Sequence, residues 1–371
     1  MSNPTKHKEK LFHVVKRDPM VWYKAFGVRA IAILVALIVS SVILVLLTKK
    51  NPFDIFLSMI DGNFGISVKN PDLVKLRIWN HLQNLAMLLG VSLAVTPAFK
   101  MRFWNIGAEG QVLISGLATI LVMQFLGNVL PFPILIIVMV AASILAGVIW
   151  AVIPAIFKAV WNTNETLFTL MMNYVSIQLV SYFLKVYVKS GSGVLSPLPQ
   201  FGLPKIAGLD YLLNIIIVAV LTIGVYIYLR YTKQGYEISV VGESENTAKY
   251  IGINVKKVII RTLVVSGAIC GVCGLLLVGG TNHTISTTTV GGRGFTAIMV
   301  SWLAKFNPLY MIITSFLIVF LDIGAHQIST DFRIPQAISD IVVGIILFFI
   351  IGCEFFLSYK IVLNKTRKEN A

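Results

Sequence analysis

Runs of about twenty predominantly apolar residues recur along almost the whole chain, the length an α-helix needs to cross a hydrocarbon core about 30 Å thick. Read in order, they fall at residues 26–48, 81–97, 106–126, 133–157, 166–187, 211–230, 258–279, 295–304, 309–325 and 337–357. Only 13% of the 371 residues are charged and mean hydropathy is +0.84, which leaves a soluble domain too little polar surface to cover itself. The expectation is an all-α, polytopic membrane protein with about ten transmembrane helices, some broken and two short for a full span. The first run follows a basic arm and is not followed by a small-residue cleavage site, so it reads as a retained helix.

A net charge of +15 invites a nucleic-acid reading, which the distribution of the charge excludes. The basic residues gather in the arm (Lys6, Lys8, Lys10, Lys16, Arg17), between Arg230 and Arg261, and in the tail (Lys360, Lys365, Arg367, Lys368). With the N-terminus inside, helix alternation places most of the 31 lysines and arginines at the inner face. The expected layout is a cytoplasmic basic arm (1–25), one transmembrane domain (26–357) and a cytoplasmic tail (358–371), N-in and C-in. Residues 231–257 form a cytoplasmic loop. Residues 49–80 and 188–210 are external, the latter an irregular segment rich in proline and glycine.

Motifs for chemistry are missing. There is no GxxxxGKS or GxxxxGKT phosphate loop, no HExxH and no GxSxG, and the five histidines are scattered. Cys270 and Cys273 form a "CGVC" pair inside an apolar run, where Gly267, Gly271 and Gly274 read as small residues that let helices approach. No catalytic residue, metal or cofactor is expected, and the chain is not read as an enzyme.

Three stretches stand out against the apolar background. "FWNIGAEGQ" (103–111) places polar groups and glycines at the mouth of a long apolar run, as a helix interrupted and restarted. Asn105 reads as the N-cap, Glu109 as an anion in the first turns, Gly107 and Gly110 as points of backbone approach, and Gln111 as a further polar group. "TNHTISTTTVGGRGFTAIMV" supplies a second interruption, with Gly291, Gly292 and Gly294 ahead of a short helix. Paired breaks point to a transport site near the middle of the bilayer, with Asn105, Glu109, Gln111, Gly291, Gly292 and Gly294 along it. The plainer alternative is a capped interfacial helix start and an external loop. Third, residues 243–252 read as a short amphipathic helix carrying Glu243, Glu245 and Ala248, bounded by Gly242 and Gly252. It is either a handle for a cytoplasmic partner or a solvated loop.

The blocks "PAFKMRFWNIGAEGQVLISG", "NETLFTLMMNYVSIQLVSYFL", "VGESENTAKYIGINVKKVIIRTLVVSGAICGVCGLL" and "GRGFTAIMVSWLAKFNP" together resemble bacterial ABC-importer permeases of the branched-chain amino acid and ribose type. Within that group they are most similar to the longer permease of nucleoside (guanosine-type) or simple-sugar importers, from about residue 82 to 356. Two positions depart from the pattern: Thr247 precedes Ala248 where two alanines are common, and Arg293 lies between glycines. The resemblance implies a nucleoside pathway in the bacterial cytoplasmic (inner) membrane, with a second permease subunit. It also implies a cytoplasmic ATPase that consumes the ATP and docks on Gly242, Glu243, Glu245, Ala248 and Gly252, and an external substrate-binding lipoprotein or periplasmic protein. A permease for ribose or another simple sugar is the alternative. An ion-coupled secondary transporter using Glu109, Asp322 or Asp340 as relays is a further one.

Overall fold

The computed structural model describes residues 12–17, 22–66, 70–188, 194–206, 208–209 and 211–363. Residues 1–11 and 18–21 of the arm, 67–69 of the 49–80 loop, 189–193, 207 and 210 of the 188–210 loop, and 364–371 of the tail lie outside the described residues. The elements run β1 (Phe12–Lys16), α1 (Trp22–Thr48), α2 (Pro52–Phe64), α3 (Pro71–Lys100), α4 (Ala108–Leu126), α5 (Phe132–Trp161), α6 (Glu165–Tyr187), α7 (Leu212–Tyr231), α8 (Lys233–Glu243), α9 (Glu245–Tyr250), α10 (Val255–Leu277), α11 (Arg293–Leu303), α12 (Pro308–Phe332), α13 (Gln336–Ser358) and β2 (Tyr359–Leu363). A π-helical turn, Val278–Asn282, extends α10.

Every one of the ten expected apolar runs falls in a helix. Among the described residues, however, eight helices are long and apolar enough to cross a membrane: α3 to α7, α10 with its π turn, α12 and α13. Of the ten expected spans, α11 is short by length: it has 11 residues, and a helix of that size reaches only about 16 Å. α1, Trp22–Thr48, has 27 residues and an apolar stretch that includes Ala30–Leu46. The segment expected as a loop over 49–80 instead holds α2 and the start of α3. Each opens with an Asn-Pro pair, the asparagine as N-cap and proline in the first turn: Asn51 Oδ1 accepts Phe53 N at 3.0 Å and Asn70 Oδ1 accepts Asp72 N at 3.0 Å.

The chain forms two compact units, Met1–Val68 with Leu321–Ala371, and Lys69–Phe320. In the first, α1 packs on α13 and the ends of the chain pair as an antiparallel ribbon, Phe12 opposite Leu363 and Lys16 opposite Tyr359. β1 and β2 therefore lie at the same end of the α1 and α13 pair. Inside this unit Ser58 donates to Asp331 Oδ2 at 2.5 Å.

In the second unit α10 is central, packed on α5, α3 and α4. The glycine stripe read from the sequence makes this possible. A Cβ on Gly271 would lie 2.6 Å from Ile144 Cα of α5, and one on Gly274 2.6 Å from Val112 O of α4, so these backbones touch only because no side chain intervenes. That packing fixes α4 beside α10 and sets the position of the first break.

Candidate functional site

α3 ends in a tight reversal: Phe103 N donates to Ala98 O at 3.0 Å, and Arg102 takes a left-handed φ of 61°. The chain then runs without regular structure to Gly107, which occupies the N-cap position of α4 with no side-chain cap. Asn105 is therefore not the N-cap, as the sequence suggested. It lies two residues earlier, and its Oδ1 accepts Gly107 N at 3.1 Å. Its amide faces that of Gln111, with Gln111 Nε2 donating to Asn105 Oδ1 at 3.2 Å and Asn105 Nδ2 to Gln111 Oε1 at 3.3 Å. Asn105 is 0% and Gln111 1% exposed, so the pair satisfies itself in the interior.

The remaining backbone groups of this break are met by α6. Thr169 Oγ1 accepts Ile106 N at 3.2 Å, Asn173 Nδ2 donates to Ile106 O at 2.9 Å, and Asn173 Oδ1 accepts Gly110 N at 2.8 Å. Irregular backbone within an apolar bundle requires such partners, because lipid supplies none. Thr169 and Asn173 were not singled out from the sequence. Their signal is a polar stripe at helical spacing, Thr169, Asn173 and Ser176, in an otherwise apolar helix.

The second break ends in two consecutive left-handed glycines, Gly291 (φ 67°) and Gly292 (φ 75°), which aim the first N–H groups of α11 at α4. There they meet Glu109: Oε1 accepts Gly292 N at 2.8 Å and Oε2 accepts Gly294 N at 2.6 Å. Gly294 has no room for a side chain, since a Cβ would lie 2.7 Å from Glu109 Cα. The carboxylate, 9% exposed, thus sits in the first turn of α4 and caps α11 as well, at the positive ends of two helix dipoles. Charge-assisted bonds of this type are the strong class. At its other end α11 returns to the first break through the Trp302 and Trp104 rings, 5.6 Å apart. Ser301 donates to Ser92 O of α3 at 3.1 Å. Of the six residues named from the sequence, the structure joins Glu109, Gly292 and Gly294 directly, pairs Asn105 with Gln111, and leaves Gly291 exposed on the turn.

The 243–252 segment is not one helix. Ser244 is extended (φ −160°, ψ 117°), and its Oγ accepts Thr247 N at 3.2 Å, so Glu243 ends α8 and Glu245 opens α9. Gly242 lies against Lys100 O, which seats α8 on the end of α3. Glu237 of α8 pairs with Arg261 of α10 at 2.9 Å. Ala248 is buried, Ile253 N closes α9 onto Ala248 O at 2.9 Å, and Gly252 (φ 85°) makes the turn. Tyr250 and Ile251 stand out, 92% and 51% exposed. Among the described residues no group of three His, Cys, Asp or Glu is placed to hold a metal ion.

Two half-helices thus meet at their N-termini through one carboxylate, and comparison with known proteins decides the family. Residues 78–351 match the family described as branched-chain amino acid transport system / permease component. The chain belongs to this permease family. It is a multi-pass protein of the cytoplasmic membrane, in a family of transport components that are not enzymes. It is 27% identical to the glucose ABC transporter permease protein TsgB13 of Haloferax volcanii, over 96% of this chain and 94% of that one. It is 26% identical to the guanosine ABC transporter permease protein NupP of Bacillus subtilis, over 75% of this chain and 81% of that one. It is also 26% identical to the nucleoside ABC transporter permease protein NupB of Lactococcus lactis subsp. cremoris, over 72% and 77%.

Proposed function

We propose that the chain is the membrane subunit of an ATP-driven importer and forms the route for nucleosides. The observation that carries this reading is the Glu109 carboxylate clasping Gly292 and Gly294 between two half-helices inside an apolar bundle. Such a joint is a two-state element: closed when both N–H groups reach the carboxylate, open when α11 withdraws. The chain has no phosphate loop of its own, which fits a motor in a separate subunit. Relatives named as ABC permeases support the same division of labour and tell against ion-coupled transport through Glu109, Asp322 or Asp340.

In this reading α9 is the contact for the cytoplasmic ATPase, through the exposed Glu245, Tyr250 and Ile251. Displacement passes from α8 to α10 through Glu237 and Arg261, and to α3 where Gly242 abuts Lys100. A second permease completes the route, and an external lipoprotein or periplasmic protein delivers the solute. The basic residues orient the arm, α9 and the tail toward the cytoplasm.

A sugar substrate is the second reading, favoured by the full-length match to a glucose permease. The experiment is uptake of labelled guanosine and of labelled glucose by proteoliposomes holding the assembled complex, with and without ATP. ATP-dependent guanosine uptake is expected. Glucose uptake alone would replace the substrate, and uptake that follows an ion gradient without ATP would overturn the reading.

A further inference from the structure

The outer half of α3 carries Asn80, His81, Gln83 and Asn84 within five residues, a density of polar groups at odds with a membrane span. Two of them are directed into the protein. His81 is buried with its ring 5.0 Å from that of Phe316, and Gln83 is buried against Thr281 and Asn214. Asn80 and Asn84, one helical turn apart, lie on a different face. Arg293 Nη2 donates to Asn84 Oδ1 at 2.8 Å, and Asn84 Nδ2 donates in turn to Asn80, at 2.9 Å to its backbone O and 3.2 Å to its Oδ1. The relay ends at Asn80, which is exposed and whose own amide N–H groups donate to nothing among the described residues.

Arg293 is held where it is. Its backbone opens α11 between the two glycine N–H groups that Glu109 accepts, and its Nη1 donates to Val290 O at 3.0 Å. A charge so placed among spans is met by an opposite charge, by polar groups or by water and not by lipid, and here the Glu109 carboxylate and Asn84 lie beside it. Asn84, its partner, lies near the middle of α3.

We propose that Asn80, Asn84 and Arg293 form a solute-contacting station of the route. The proposal rests on the reading of the chain as the importer's pathway and names residues that the two breaks alone did not indicate. The station offers the amide N–H groups of Asn80 as donors, beside Asn84 and the guanidinium that holds it. Its match is a neutral solute rich in oxygen or ring-nitrogen acceptors, as hydroxyls of a sugar or the edge of a nucleobase provide, because the guanidinium charge is balanced by the Glu109 carboxylate across the same turn.

The test uses the assembled complex in proteoliposomes, with guanosine and glucose as probes. Asn80→Cys is treated with a membrane-impermeant, sulfonate-bearing thiol reagent, the native cysteines Cys270, Cys273 and Cys353 being buried. Rapid labelling, slowed at least threefold by the probe that is transported, is expected; an unreactive cysteine would place this face in lipid and overturn the station. Arg293→Gln is expected to raise KM for that probe at least tenfold with the maximal rate within twofold, and Arg293→Lys to fall between. An unchanged KM in both Arg293→Gln and Asn80→Leu, in complexes inserted at normal yield, would also overturn it. If the unaltered complex carries neither probe with ATP, the importer reading is what fails, and labelling of Asn80→Cys still decides whether this face meets water.

Discussion

The two breaks look alike in sequence, each a mixture of glycine and polar residues ahead of an apolar helix, yet they are satisfied differently. The first, residues 101–107, is bound by Thr169 and Asn173 of α6 and by the Asn105 and Gln111 amide pair, all in the interior. The second is tied at its start to residues 195 and 198, but residues 286–292 bond mostly to themselves and reach a neighbouring helix through Gly292 on Glu109. A break whose backbone is met by several side chains of one rigid helix is scaffold. At the second break the bonds to α4 include the two that Glu109 accepts, while Arg293 on Asn84 and Ser301 on Ser92 hold α11 to α3. The two breaks thus meet at Glu109, one held by α6 and the other by α3 and this carboxylate.

The largest effect expected is at the fixed break. Asn173→Leu strands Ile106 O and Gly110 N in the interior, about 1 to 3 kcal/mol for each unsatisfied group. The complex should show a marked fall in its thermal denaturation midpoint in detergent and a reduced inserted yield. Wild-type stability would remove the claim that this break is scaffold.

Next is Glu109→Gln, which keeps the size and one acceptor but forfeits bonds to a charged group worth about 1.5 to 3 kcal/mol. Here uptake should fall at least tenfold while inserted protein stays within twofold, the reverse of the Asn173→Leu pattern. Loss of stability with proportionate uptake would make the two breaks equivalent.

Gly292→Ala is milder. Its Cβ meets nothing within 4 Å, so the penalty is the left-handed backbone alone, about 1 to 2 kcal/mol. A several-fold loss of uptake is expected, and an unchanged rate would show that the turn need not be held at this φ. Smallest of all is Thr288→Ala, at an exposed position of the same stretch. Stability should move by less than about 0.5 kcal/mol and uptake by less than twofold; a large defect there would mean that the second break is as tightly fixed as the first.

Sequence reasoning located the helices through continuous apolar runs, a signal that depends on burial in lipid and protein alike and is local. It missed α2 and the start of α3 because residues 52–80 are mixed in character, although the pairs Asn51-Pro52 and Asn70-Pro71 mark both starts. Asn105 was misassigned as a cap because an asparagine before a helix has more than one suitor, and here Gln111, six residues on, shares its amide. The division of 243–252 at Ser244 was readable from Ser244 with Thr247 three residues later. The reach of Glu109 to Gly292 and Gly294, some 180 residues away in the chain, depends on tertiary packing along the Gly271 and Gly274 seam, and no local pattern gives the hydrogen bonds themselves.

The ribbon of β1 and β2 bears on the order in which the protein is made. Residues 69–320 are contiguous, so that unit emerges from the ribosome with all its parts in sequence. The other unit is split around it, with Phe12–Lys16 made before residues 69–320 and its partner Tyr359–Leu363 after them. Its two-stranded pairing is therefore a late event in biogenesis, and a nascent chain that stops short of residue 359 leaves the first strand with an open edge, an exposed hydrogen-bonding row that marks the molecule as unfinished.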